Sequence, residues 1–386
     1  MDFEIPEDLK LIQETARDFV KRELLPLERD LLGIEVERAR TALPQEVMDD
    51  IKKKAKEMGF WGLSIPGEFG GAEVPVLGLC LVEEVLAQTI IPFNFGDVTP
   101  ILFHCNDEQK REYLNPAIEG TKQYCVALLE PESPRPKSLK TIASKDNGYY
   151  VIEGQKLVTS TVDIGDFVIT FAVTDVEKPP REGVTCFLVA RDTSGLTAIG
   201  GGEKRGWQAR LIEPIVLNFN QCRVPAENIL GEVGHAFHLG AKWLPSRRIV
   251  RAARFVGIVE KLLEVCAEYA KTWEIFRRPI SEQTSVQRIL ADMATDIEAA
   301  RFMVYNGACM ADGGRDIRRE AAMVKVFTTE MANRAAEQAV LLHGGPAHIK
   351  GLPVERLCRN ATAASFSDEV LELQRAIIAR DILQKL

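Results

Sequence analysis

Apolar residues recur at helical spacing through the first third of the chain. They fall at Leu9, Ile12, Ala16, Phe19 and Val20, then at Val47, Ile51 and Ala55, then at Leu79, Val82 and Val85, the three-to-four residue step of one face of an amphipathic helix. Near residue 121 the pattern changes to short β-branched and aromatic runs bounded by turn residues. Tyr149-Tyr150-Val151-Ile152 follows Asp146-Asn147-Gly148, and Phe167-Val168-Ile169-Thr170-Phe171 and Cys186-Phe187-Leu188-Val189 continue the series, which predicts strands joined by tight turns. Long helical periodicity returns after about residue 232, with few prolines inside the candidate helices, as in a bundle of antiparallel helices. At the joint, Val224-Pro225 closes a strand where a missing N–H is tolerated, and Gly231 and Gly234 punctuate the entry to the helices. The pattern predicts an α+β protein in three parts: an N-terminal helical domain over 1–120, a middle β-barrel-like domain over 121–231, and a C-terminal domain resembling a four-helix bundle over 232–386.

Composition narrows the function. The chain is 46% hydrophobic and 27% charged, with a formal net charge of −8. An excess of acids without a strongly basic block excludes nucleic acid as the default partner. Met1-Asp2-Phe3-Glu4 places acids where a secretory signal needs a basic and then an apolar run, and no run is long enough to span a bilayer, so a cytoplasmic location is expected. The eight cysteines stand singly with no C-x-x-C pair, which predicts buried reduced thiols rather than a zinc site or disulfides. His235 and His238 lie three apart, but no carboxylate or cysteine set accompanies them, and no metal is expected.

Two stretches carry a family resemblance. Residues 217–237 read LNFNQCRVPAENILGEVGHAF, and Met58-Gly59-Phe60-Trp61-Gly62 runs into Ile65-Pro66-Gly67-Glu68-Phe69-Gly70-Gly71. Both resemble the acyl-CoA dehydrogenase family: the first its junction between middle and C-terminal domains, the second its G-x-G-x-P-E-x-G-G turn. The likeness extends over essentially the whole chain. It implies an acyl-CoA substrate dehydrogenated at its α and β carbons, FAD held between β domain and helices, an electron-transfer flavoprotein as acceptor, and a dimer of dimers.

The same alignment assigns candidate residues. Anchoring on Gln374-Arg375 puts Asp368 at the position of the family's glutamate base, and a slip of one residue offers Glu369. An aspartate carboxylate sits roughly 1 Å farther back, a displacement that can cost about a hundredfold in rate. The alternative is that both are acids favoured by the N-terminal dipole of the following helix. Ala127-Leu128-Leu129-Glu130-Pro131 resembles A-L-T-E-P, with Leu129 replacing a hydroxyl that bonds the flavin. Gly154-Gln155-Lys156-Leu157-Val158-Thr159-Ser160 resembles G-x-K-x-W-I-T, with Val158 in place of an aromatic ring and Ser160 keeping the hydroxyl. At the nucleotide end, which a neighbouring subunit contributes in the family, residues 273–280 resemble R-x-Q-F-G-R-P-I. Phe276 and Pro279 are kept, and Trp273 stands at the pyrophosphate-binding arginine. Leu341-Leu342-His343-Gly344-Gly345 resembles Q-x-x-G-G, retaining Gly344 and Gly345 and losing the glutamine to Leu341. With polar partners gone at both ends of one ligand, the chain by itself is expected to hold FAD weakly.

Arg247, Arg251 and Arg254 share one helical face at i, i+4, i+7. Arg248 matches an arginine of the helix lining the acyl pocket, and Arg247 occupies the place where some members carry an alternative base. Arg247, Arg248 and Arg251 are candidates for a carboxylated acyl chain or a CoA phosphate; pairing with acids of this or another subunit is the competing account. Three functions stay open: a homomeric dehydrogenase, the flavin-poor subunit of a heteromeric one, and a non-redox CoA-thioester lyase or binding protein.

Overall fold

In the computed structural model, residues 4–38, 43–132, 138–158, 164–200, 215–365 and 370–385 are described. The chain folds into two compact units. One unit joins 1–64, 72–95 and 244–386, and the other joins 65–71 to 96–243. No helix is long and apolar enough to cross a membrane among the described residues.

The helical unit draws on both ends of the chain. It begins with α1 (Glu7–Phe19), α2 (Glu28–Arg38), α3 (Gln45–Glu57) and α4 (Val76–Leu86). It continues with α5 (Leu244–Thr272), α6 (Thr284–Asp312), α7 (Arg318–His343), α8 (Pro353–Thr362) and α9 (Leu371–Lys385). The predicted apolar stripe of α1 is the buried one, with Leu9, Ala16 and Phe19 inside. A single apolar core then runs from these residues through Ile249, Val256 and Leu262 of α5 to Met331 and Ala335 of α7. Helices α4 and α5 approach so closely that a Cβ on Gly257 would lie 2.0 Å from the Glu84 carbonyl oxygen, so only glycine fits that crossing.

Polar groups fasten the unit at chosen points. The Asp312 carboxylate accepts from the Val76 and Leu77 amides at 2.7 and 3.0 Å, satisfying orphan donors at the start of α4. Glu84, buried on α4, accepts from Arg301 at 2.8 Å and from the Tyr305 hydroxyl at 2.9 Å. Burial raises the Glu84 carboxyl above its usual range, against the pull of the Arg301 guanidinium. Glu35 of α2 meets Arg356 and Arg359 of α8 in a second buried charge cluster.

Among the described residues, the other unit is built on an eight-stranded sheet. Its strands are β1 (Tyr124–Ala127), β2 (Ile142–Asp146), β3 (Tyr149–Val158), β4 (Phe167–Val173), β5 (Val184–Ala190), β6 (Leu196–Gly200), β7 (Ile215–Pro225) and β8 (Ile229–Leu230). They run in the order β6-β7-β3-β2-β4-β5-β8, with β1 parallel to β4. Asn147 and Gly148 have φ of 42° and 83°, the type I′ geometry whose twist suits the β2–β3 hairpin. The register of β3 on β7 shifts between Ile152 and Gly154. Gly154, at φ 138°, leaves room for Thr141, whose Cα would lie 2.8 Å from a Cβ there.

One expectation is corrected. Seven of the eight thiols are buried, but Cys309, on α6, is exposed.

Candidate active site

In the sheet unit, the segment following β1 is tied to β3 by backbone and by charge. The Leu129 carbonyl accepts from the Leu157 amide at 2.8 Å, and the Leu128 carbonyl accepts from Lys156 Nζ at 3.2 Å. Lys156 is fully buried and donates to Glu130 Oε1 at 2.9 Å. Glu130 also accepts from the amides of Lys140 at 2.7 Å and Thr141 at 2.9 Å. Burial by itself would raise the Glu130 carboxyl, yet the bonds from Lys156, Thr141 and Lys140 prevail and hold it below the usual carboxylate range. Leu128 and Leu129 are half-buried. Val158 is fully buried inside the apolar core of the sheet, beside Ile215. Ser160 lies outside the described residues, as do 133–137.

In the helical unit, α5 carries candidates at both its ends. Arg248 is 5% exposed and Arg247 and Arg251 are half-buried near its start, whereas Trp273 and Phe276 follow its finish. Twenty-five residues of helix separate Arg248 from Trp273, about 37 Å along the axis, so one chain cannot bring the arginines and the hairpin to the same point. Arg254 donates to Glu83 of α4 at 2.7 Å.

At the far end, β9 (Glu274–Ile275) and β10 (Arg278–Pro279) form a hairpin. Its turn residues Phe276 and Arg277 have φ of 55° and 62°, and Phe276 is 94% exposed. The structure brings this hairpin to the diglycine through aromatic rings. Trp273 stacks on Tyr269 at 5.6 Å between centroids, and Tyr269 stacks on His343 at 4.2 Å. His343 is buried, which lowers its pKa below the ordinary histidine value, and its Nδ1 lies 2.9 Å from the Ala339 carbonyl. Gly344 follows at φ 62°, ψ −130°, a conformation essentially confined to glycine. Neither Gly344 nor Gly345 has an atom within 4 Å of where a Cβ would stand.

These described residues fit a flavin nucleotide through backbone and ring surfaces. The diglycine gives open access to main chain, and Phe276 and Trp273 offer exposed rings. Charged or amide side chains are missing at Trp273 and Leu341, which are 51% and 67% exposed.

Asp368 and Glu369 lie outside the described residues, but the chain on either side is placed. It leaves α8 through a 3-10 turn, Ala363–Ser365, and re-enters as α9. The Ala364 carbonyl accepts from Lys325 Nζ at 2.6 Å, and that ammonium lies 5.9 Å from the Phe255 ring centroid. Phe255 is seven residues beyond Arg248, roughly 10 Å along α5. Lys325 received no reading from the sequence. Its signal was there: a lysine within the apolar run Ala321-Ala322-Met323-Val324-Lys325-Val326-Phe327, on a helix that returns to the core.

Comparison with known proteins bears on this geometry. Residues 6–121 match the description acyl-CoA dehydrogenase, N-terminal domain, and 237–383 match acyl-CoA dehydrogenase, C-terminal domain. An acyl-CoA dehydrogenase of Bacillus subtilis (strain 168) is 32% identical over 98% of this chain and 99% of its own. The caffeyl-CoA reductase-Etf complex subunit CarC of Acetobacterium woodii is 30% identical over 98% of this chain and 99% of its own. Among solved structures, the FAD complex of PigA superposes with a TM-score of 0.84 at 25% identity, covering all of both chains.

Proposed function

The chain belongs to the acyl-CoA dehydrogenase family, and from that membership we propose that it acts on a CoA thioester in the cytoplasm, removing hydrogen from the α and β carbons with FAD as cofactor and an electron-transfer flavoprotein as acceptor. The observation that carries this is the match from end to end with a relative named for that activity.

FAD, when bound, supplies the acceptor for the hydride leaving the β carbon. By the resemblance, Leu128, Leu129 and Ser160 would line the flavin end, and Gly344, Gly345 and Phe276 of a neighbouring subunit would hold the nucleotide end; Val158, fully buried in the sheet core, would support that end without touching the ligand. The proton at the α carbon goes to Asp368, with Glu369 as the alternative, since Arg247 occupies the other base position. Arg247, Arg248 and Arg251 receive an anion of the substrate, a CoA phosphate or a carboxylate on the acyl chain.

Asp368→Asn tests the base. The amide keeps the shape and cannot take the proton, so turnover should vanish while thioester affinity stays within about threefold. Unchanged turnover moves the role to Glu369. A second reading, favoured by the exposed apolar side chains of Trp273 and Leu341, makes this chain the flavin-poor subunit of a heteromer. Native isolation separates the two: a homomeric enzyme emerges yellow and alone, a heteromeric subunit with a second chain.

A further inference from the structure

The hairpin that follows α5 keeps two residues in a strained backbone. Phe276 and Arg277 fill its turn at φ of 55° and 62°, positions that glycine, asparagine or aspartate usually occupy. The base of the hairpin imposes this geometry. The Trp273 amide donates to the Tyr269 carbonyl at 2.8 Å and the Ile280 amide to the Trp273 carbonyl at 2.9 Å, and Ile280 is buried with Ala270 and Val286. Between these anchors Glu274 pairs with Pro279 and Ile275 with Arg278, which leaves only Phe276 and Arg277 to reverse the chain.

The strain has no compensation inside the chain. Phe276 is 94% exposed and Arg277 is exposed, and among the described residues neither side chain makes an ion pair, a hydrogen bond or a ring contact. Arg278 is exposed beside them and likewise unpaired among the described residues. Glu274 lies across from Pro279, so strand alternation turns it to the face opposite Ile275 and Arg278. The tip thus presents an aromatic ring next to two guanidinium groups. Strain of this kind collects where a residue meets a ligand, and a guanidinium fork matches the oxygens of a phosphate two at a time.

We propose that Arg277 binds the diphosphate of FAD, supplying from the turn the cation that Trp273 does not. The proposal rests on the reading that Phe276, Gly344 and Gly345 hold the nucleotide end. Arg278 adds a second positive charge to the same tip, and the Phe276 ring offers a planar surface beside it.

The test compares the protein in its native assembly with Arg277→Gly and Arg277→Lys. FAD dissociation is read from the flavin fluorescence regained on dilution, at several salt concentrations, and calorimetry measures ADP and adenosine as separate probes. Arg277→Gly is expected to raise the FAD Kd roughly ten- to a hundredfold and to flatten its dependence on salt. Arg277→Lys, which keeps the charge without the fork, should fall between. ADP should bind more tightly than adenosine to the wild type, and that advantage should shrink about tenfold in Arg277→Gly. The urea midpoint of the apoprotein should meanwhile rise, because the left-handed strain leaves with the side chain. Affinity and stability then move in opposite directions, which a purely structural arginine would not produce. An FAD Kd in Arg277→Gly within about twofold of wild type overturns the proposal. So does an assembly that dissociates on gel filtration with FAD affinity unchanged, the mark of an arginine paired with a second copy of this chain. Failure of the underlying reading looks different. In that case Phe276→Ala and Gly345→Val also leave FAD and ADP affinity unchanged, whereas failure of the proposal alone leaves both of these variants weakened and Arg277→Gly unaffected.

Discussion

Arg277 stands at φ 62° in a two-residue turn whose first position, Phe276, is also left-handed. The resemblance places a glycine at Arg277, and the geometry still asks for one, since a left-handed backbone costs an L-residue about 1–2 kcal/mol. Arg277→Gly is expected to stabilise the protein by about 0.5–1 kcal/mol, after the greater unfolded-state freedom of glycine is subtracted. Urea unfolding should show a higher midpoint with an unchanged slope. Asn147 and Gly148 solve the same problem between β2 and β3 with residues suited to it, which is why that turn was legible from sequence.

At the level of elements, the join between the end of β1 and β3 depends on one buried pair. Glu130 and Lys156 are 5% and 0% exposed, so removing one partner leaves the other charged in the core. Glu130→Gln is expected to cost about 3–5 kcal/mol at pH 7, and Glu130→Gln combined with Lys156→Met less than the sum of the two. The pH dependence has a definite sign. Because the folded carboxyl is held below its usual range, its contribution is present above the unfolded value of about 4.3 and lost as pH falls through the folded one. Urea denaturation from pH 7 downward should show the wild type losing stability below about pH 4.3, with a shallower loss in Glu130→Gln. The helices α2 and α8 are joined in a comparable way by Glu35 and Arg356, 321 residues apart in sequence.

For the whole molecule, the open question is how firmly it retains FAD. Trp273 and Leu341 stand where the family resemblance places an arginine and a glutamine, and both are apolar and at least half exposed. Restoring them as Trp273→Arg with Leu341→Gln should tighten FAD binding. One charge-assisted bond is worth about 1.5–3 kcal/mol, or roughly ten- to a hundredfold in affinity. Fluorescence titration of FAD into the apoprotein measures it, and an unchanged Kd would show that ring stacking and backbone contacts already suffice.

Helix or strand, and the α-β-α order along the chain, were legible because periodicity is local: Leu9, Ala16 and Phe19 are buried as their spacing predicts. Spelled motifs around Pro66, Pro225, Gly344 and Gln374 were legible for the same reason, and they led to the family. What each charged side chain does was not. Arg254 belonged to a row of three arginines until α4 brought Glu83 to it. Lys325 was one lysine in an apolar run until Ala364 came within 2.6 Å. The grouping of the first helices with the last was equally out of reach, since residues 1–64 and 244–386 meet only when the chain folds. A charge in a core is decided by its partner, and the partner is chosen by contacts between segments that the order of residues does not place together.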